Sequence, residues 1–345
     1  LAPACALTIG NFDGVHRGHQ AMLALLRNEA AHRGVPSCVM TFEPHPRDYF
    51  AKALNKPELA PARIATLRDK LLELERCGVD QVVVLPFDAR LASQSPQDFI
   101  EQVLVKGLGV RYVLVGDDFR FGAKRAGDYA MLDAAGQQLG FDVARMNSYE
   151  VRGLRVSSSA VRQALGEARM PDVAALLGRP YSISGHVVHG RKLGRELGAT
   201  QEGAGDGFRT LNLRFSHWKP AASGIFAVEV HGLAPQPLAG VANLGIRPSL
   251  DPNDVNGGRV LLETHVLDWP TALGGEGGYG KIIRVELLHK LHDELKYDGL
   301  DALQQGIARD CEAARLWFAT RDTQPGSAPA TGHATTRRQT TRDRI

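Results

Sequence analysis

Along the first half of the chain, short apolar runs alternate with longer stretches in which apolar residues recur every three or four positions. The runs at 7–9, 38–42, 81–85, 112–115 and 142–146 read as buried strands. The stretches at 19–32, 64–77, 96–106 and 128–139 carry helical spacing. This alternation predicts a parallel sheet covered on both faces, with ligands held at the carboxyl ends of its strands. Three polar, motif-like segments fall at such ends: residues 10–19, 41–46 and 116–122. Helical patterning continues through 158–165 and 172–177 until Gly178-Arg179-Pro180 breaks it. From Tyr181 onward the pattern changes to short β-like runs at 181–189, 210–215, 224–231, 240–244, 258–265 and 281–288. Turn residues separate them, which predicts a small barrel or sandwich. A last helix is expected over 301–320. The segment from 324 to the end has almost no large apolar residues and is expected to be disordered. The expected division is one domain over 1–178, a second over 179–322 and a tail over 323–345.

Length and composition agree with this picture. A chain of 345 residues favours two domains, and 43% hydrophobic residues suffice for ordinary cores. A net charge of +3 gives no support to a nucleic-acid partner, although the last residues are basic. Cys5, Cys38, Cys77 and Cys311 are scattered, without ligand spacing, which argues against a disulfide framework or structural zinc and for a reducing compartment. No apolar run reaches membrane-spanning length and no signal peptide is visible. The expectation is a soluble cytoplasmic protein with no membrane partner. Because it starts at Leu1 rather than Met, a few leading residues are expected to be missing.

The candidate chemistry begins at Gly10-Asn11-Phe12-Asp13-Gly14-Val15-His16-Arg17-Gly18-His19. A strand, a glycine-bearing turn and a helix start make an anion cradle, because free backbone N–H groups and the helix dipole both favour negative charge. His16 and His19, three apart, fall on one helix face. A nucleoside triphosphate would be held in this way. Ser157-Ser158-Ser159-Ala160-Val161-Arg162 offers hydroxyls and a guanidinium at another helix start, a second phosphate clamp whose plainer reading is a serine N-cap. Phe119 is suited to stacking on a flat ring or to anchoring its loop in the core. Arg63 and Lys70 read as solvated charges on a helix. In the second half, residues 185–195 are glycine-rich and basic, and a solvated hairpin is the plainer alternative to a phosphate loop. Thr210 and Asn212, two apart on a strand, point to one side.

These motifs, in this order, resemble those of the bacterial bifunctional riboflavin kinase/FMN adenylyltransferase (FAD synthetase) family over roughly residues 7–318. The resemblance implies an α/β plus β fold: an N-terminal Rossmann-like nucleotidyltransferase domain and a C-terminal small β-barrel riboflavin kinase domain. It implies two reactions, riboflavin and ATP to FMN and ADP, then FMN and ATP to FAD and pyrophosphate, with Mg²⁺ in both. In the first half it makes His16, His19 and Arg162 catalytic. Gly10, Asn11, Phe12, Asp13, Gly14, Gly18, Ser157, Ser158 and Ser159 surround the nucleotide, and Phe42, Pro44, His45, Asp118, Phe119 and Arg120 lie near flavin and nucleotide. In the second half it makes Gly185, His189, Gly190, Lys192, Gly194 and Arg195 the phosphate loop and Thr210 and Asn212 the Mg²⁺ ligands. Glu263 becomes the base for the ribityl hydroxyl, flanked by Asn243 and Arg247. The chain departs from the family pattern at Ala160, where an arginine is usual, at Arg209 for proline and at His292 for arginine. Residues 199–207 form an apparent insertion. These departures leave two alternatives: an adenylyltransferase with an impaired kinase, and a non-catalytic flavin- or nucleotide-binding regulator. An RNA-modifying relative would need a basic face that the charge does not suggest. Substrates are the expected partners, and a homo-oligomer is left open.

Overall fold

A computed structural model describes residues 4–147, 149–151, 153–188, 210–215, 219–247, 259–274 and 277–322. The first half runs β1 (Cys5–Ile9), α1 (Arg17–Arg33), β2 (Ser37–Glu43), α2 (Pro46–Ala53), α3 (Leu67–Arg76), β3 (Gln81–Pro86), α4 (Ala89–Ser93), then α5 (Pro96–Asp98) continuing into π-helical turns over Phe99–Gly107. It proceeds through β4 (Val110–Gly116), α6 (Tyr129–Leu139), β5 (Asp142–Met146), the small hairpin β6 (Glu150–Val151) and β7 (Leu154–Arg155), α7 (Ser158–Gly166) and α8 (Met170–Leu177). Five parallel strands form one sheet in the order β3-β2-β1-β4-β5. The order reverses direction beside β1, so the crevice past its carboxyl end is where such a sheet takes a ligand. Central strand β1 is buried along its whole length and carries the first motif on its outgoing turn. One apolar layer packs Leu7, Ile9, Met40 and Val113 against Ile100, Leu104 and Leu132. A second packs Ala6, Leu114 and Tyr112 against Leu26 of α1.

The second half runs β8 (Tyr181–His186), β9 (Thr210–Arg214), β10 (Gly224–His231), β11 (Leu238–Arg247), β12 (Arg259–Val266), β13 (Ile282–His292) and α9 (Leu300–Asp322). Its six strands pair antiparallel in the order β8-β13-β10-β11-β12-β9. The sheet curls until its outer strands approach, and the Val188 N–H donates to the Asn212 carbonyl at 2.9 Å. Phe226, Val228, Leu213, Leu262 and Val285 fill the interior. Helix α9 lays Cys311 and Ala314 on the outer face, against Ile225, Ala227 and Val241. The phosphate-loop candidates His189, Gly190, Lys192, Gly194 and Arg195, together with Arg209, the 199–207 insertion and the 323–345 tail, lie outside the described residues.

The halves join through an apolar cluster in which Val161, Leu165 and Leu176 belong with Ile183 and Val285, and through polar contacts. Asp69 on α3 accepts the Ser184 backbone N–H at 3.2 Å and also the Ser184 hydroxyl. Arg179, just past α8, donates to the carbonyls of Gly14 at 2.8 Å and Val15 at 3.3 Å and pairs with Glu73 at 3.1 Å. The Gln20 amide bridges the carbonyls of Val15 and Leu177.

Candidate active site

The turn after β1 is built to expose backbone while its side chains are anchored. Phe12 is 1% exposed and packs with Val15, Leu23, Val39 and Leu74. Its ring therefore supports the turn from below, and what it presents outward is main chain. Gly14 has φ +88°, and a Cβ there would meet Ile64 at 2.7 Å, so the tight turn requires glycine. Asp13, 1% exposed, accepts from the Ala65 N–H at 3.1 Å and from Arg162 at 2.6 Å. Burial alone would raise its pKa, but Arg63, Arg162 and the backbone donors hold it below the usual carboxylate range.

His16 is the N-cap of α1: its Nδ1 accepts the His19 N–H at 3.3 Å. The two imidazoles stack, with centroids 3.6 Å apart, and His19 in turn lies against Phe12 at 4.8 Å. Burial lowers His16 to about 4, against the opposing pull of Asp13, with Arg162 and Arg179 adding to the fall. His19 is held well below its ordinary value by burial, by His16 and by Lys70. Both are neutral at pH 7, and His19 Nδ1 is buried with no hydrogen-bond partner among the described residues.

The second motif closes on the first. Ser157 caps α7, accepting the Ala160 N–H at 3.1 Å, so the N-cap reading holds for this serine. Ser158 donates to the Asp13 carbonyl at 3.0 Å, and Arg162 also binds the Ala62 carbonyl at 2.7 Å. Ser159 is exposed beside them. The expectation for Arg63 and Lys70 needs correcting. Arg63 is 4% exposed and pairs with Asp48 at 2.9 Å and Glu43 at 3.4 Å; Lys70 is fully buried. Arg63 is not on a helix but precedes α3 in an isolated bridge to Pro220, and nothing in the helical run of leucines and charges distinguishes the inward Lys70 from Arg68 and Arg76, which are exposed.

Around this centre, His45 is buried, caps α2 and is lowered to about 3 by burial and Arg63. Pro44 is exposed, and Phe42 meets Phe87 edge-on at 5.8 Å. Phe119 stacks on the buried Phe121 at 5.4 Å, which gives the phenylalanines the anchoring role on at least one face. Asp118 is exposed, and so is Arg120, which pairs with Asp128 at 3.1 Å.

In the second half, register brings the candidates together. Asn212 on β9 lies directly opposite Glu263 on β12, and Glu263 lies opposite Asn243 on β11. Directly paired residues share a face. The alternate positions Leu211, Leu213, Leu262 and Leu244 face the barrel core, so this polar row lies on the other side. Asn243 donates to Glu294 at 3.0 Å, which adds a carboxylate that spacing did not single out. Asn212 is 2% exposed, its Nδ2 donates to the Thr210 carbonyl at 3.4 Å, and its Oδ1 is buried with no partner among the described residues. A buried amide oxygen without a donor is what a hard cation would use. The donor types present, hydroxyl, amide oxygen and carboxylate, fit Mg²⁺. Gly185 sits on β8 beside Leu213, and His292, where the family has arginine, pairs with Asp310 at 2.7 Å. The backbone of Arg247 ends β11 opposite Arg259.

A Rossmann-like parallel sheet with two stacked histidines at its central outgoing turn is joined to a curled antiparallel sheet with its own polar row, the architecture of a two-domain transferase. The FAD synthetase family model matches residues 2–160, and the riboflavin kinase model matches residues 177–318. The bifunctional riboflavin kinase/FMN adenylyltransferase of Escherichia coli K12 is 45% identical over 314 residues, 91% of this chain and 93% of the relative; that of Pseudomonas fluorescens is 43% identical over 311 residues, 90% and 92%. A crystal structure described as a macrolide-efflux protein from Streptococcus pneumoniae superposes with a TM-score of 0.69 at 26% identity, covering 92% of this chain and 96% of that one. Among the described residues no helix is long and apolar enough to cross a membrane. The chain belongs to the bifunctional riboflavin kinase/FMN adenylyltransferase family. It converts riboflavin and ATP to FMN and ADP, and FMN and ATP to FAD and pyrophosphate.

Proposed function

We propose that the two reactions divide between the halves at about residue 178, with adenylyl transfer at the turn after β1 and phosphoryl transfer on the barrel. The observation that carries the first assignment is the convergence of His16, His19, Asp13 and Arg162 from residues up to 149 positions apart in sequence. Adenylyl transfer requires the triphosphate held in line with the incoming FMN phosphate and the departing pyrophosphate stabilised. In this reading the backbone N–H groups at the α1 start cradle the phosphates. Neutral His16 and His19 donate hydrogen bonds that strengthen as negative charge builds on the leaving oxygens. Arg162, fixed by Asp13 and the Ala62 carbonyl, turns its remaining N–H groups toward the same charge. The half-buried Phe42 and Phe119 and the exposed Asp118 and Arg120 form the flavin side.

On the barrel, Asn212 Oδ1 and Thr210 would hold Mg²⁺, which when bound neutralises charge on the ATP phosphates. Glu263, directly opposite Asn212, takes the proton from the ribityl hydroxyl as that oxygen attacks the γ-phosphorus. Asn243 and Glu294 orient the flavin side of the row. The cytoplasm is the compartment proposed for this chemistry, where riboflavin and ATP are at hand and thiols such as the four free cysteines persist. The test of the assignment is His19→Ala with FMN and ATP supplied: FAD formation falls by on the order of 100-fold, while FMN formation from riboflavin stays within twofold. Unchanged FAD formation would refute the placing of the adenylyl site.

A further inference from the structure

Lys70 stands out among the buried groups that the proposed chemistry does not use. It is fully buried, whereas Arg68 and Arg76 on the same helix are exposed. It lies in the first turn of α3, one turn from the Thr66 N-cap, where the helix dipole disfavours a cation. Among the described residues no carboxylate lies within ion-pair distance of its Nζ. Its hydrogen bond goes to Thr41 Oγ1 at 3.2 Å, and Thr41 Oγ1 donates on to the Asn11 carbonyl at 3.3 Å. Asn11 belongs to the turn read as the nucleotide site, and Thr41 lies near the carboxyl end of β2 beside it, so the relay runs from a buried ammonium to the main chain of that turn.

A buried, underneutralised cation at the positive end of a helix destabilises the fold on its own account. Such a group is expected where an anion arrives during function. The groups that face Lys70 are Arg63, Glu43, Asp13 and Asp48, with His19 and His45 on the active-site side. Arg63 adds to the local positive charge, and the acids already pair with arginines.

We propose that Lys70 is a positioning residue for adenylyl transfer: through Thr41 it fixes the Asn11 carbonyl and the nucleotide-binding turn, and its charge faces the triphosphate from beneath His19. This rests on the reading of the turn after β1 as the adenylyl site. Burial also lowers Lys70 to about 8, so the group changes charge within an accessible pH range.

The experiment compares Lys70→Met, Thr41→Val and His19→Ala in the full chain, with FMN formation from riboflavin as the internal reference. Lys70→Met lowers kcat/KM for FMN adenylylation by about 100-fold, and Thr41→Val by about tenfold, with riboflavin phosphorylation within twofold in both. In the wild type this kcat/KM declines as pH rises through about 8, and the residual activity of Lys70→Met lacks that limb. Wild-type adenylylation by Lys70→Met overturns the inference. If Lys70→Met loses both reactions together, Thr41→Val decides, and its unchanged adenylylation overturns the inference. Should His19→Ala also adenylylate normally, the site reading itself fails; should only His19→Ala be impaired, the role of Lys70 alone fails.

Discussion

His16 is an N-cap as well as a ligand candidate, and the first role governs the second. Its Nδ1 is occupied by the His19 N–H, which leaves Nε2 as the donor when the ring is neutral. Burial, chiefly, keeps it neutral down to about pH 4. The folded-state value lies below the unfolded one, so the unfolded chain binds the proton first. The stability that this neutral ring secures is complete above about pH 6.5 and is lost as pH falls toward about 4. For His16 this amounts to on the order of 3 kcal/mol. Urea unfolding at pH 7 and pH 4.5 is expected to show His16→Gln narrowing the gap between the two conditions by the His16 share, with the buried His19 and His45 keeping the rest open, and an undiminished gap would contradict the assignment. Arg162 gives a sharper functional reading. Arg162→Met leaves Asp13 buried with one cation fewer and removes a phosphate donor, so FAD formation from FMN falls at least about 100-fold with FMN formation retained.

At the scale of elements, α3 is the joint. Its Asp69 grips Ser184 on β8, its Glu73 pairs with Arg179, and its Lys70 points into the adenylyl half. Ser184→Ala removes one of three donors to a buried carboxylate, which also accepts from the Ser184 N–H and the Thr66 hydroxyl, and costs about 1–3 kcal/mol, read as a fall in the denaturant midpoint; an unchanged midpoint would show that the contact contributes nothing. The strands were legible because buried parallel strands are continuous apolar runs, as 38–42 and 112–115 are. Helix α2 was not, since Pro46–Ala53 is short and polar and begins in a loop-like Pro-His-Pro sequence. The π-helical turns at Phe99–Gly107 give the same apolar spacing as an α-helix and went unseen. His16, His19, Arg162, Asn212 and Glu263 were singled out because motif order marks them. The burial of Arg63 and Lys70 was missed because it arises from tertiary packing, of Arg63 against Asp48 on α2, Glu43 on β2 and Asp13, and of Lys70 on α3 against Thr41 on β2, which no local pattern encodes.

At the scale of the whole molecule, the proposed assignment puts two phosphate-handling sites on one chain, with polar contacts between the halves. Arg179 ties the linker to the carbonyls of Gly14 and Val15, and Gln20 ties the end of α8 to Val15, so the segment before the barrel braces the turn after β1. The two proposed centres draw on different described residues and are expected to act independently. The most direct test is timed flavin product analysis of Asn212→Leu, fed in parallel with riboflavin or FMN, with ATP and Mg²⁺. Loss of the buried amide oxygen is predicted to cut FMN formation from riboflavin by on the order of 100-fold, while FMN is converted to FAD at the wild-type rate. Wild-type phosphorylation of riboflavin, or a fall in FAD formation that matches the loss of FMN, would contradict it.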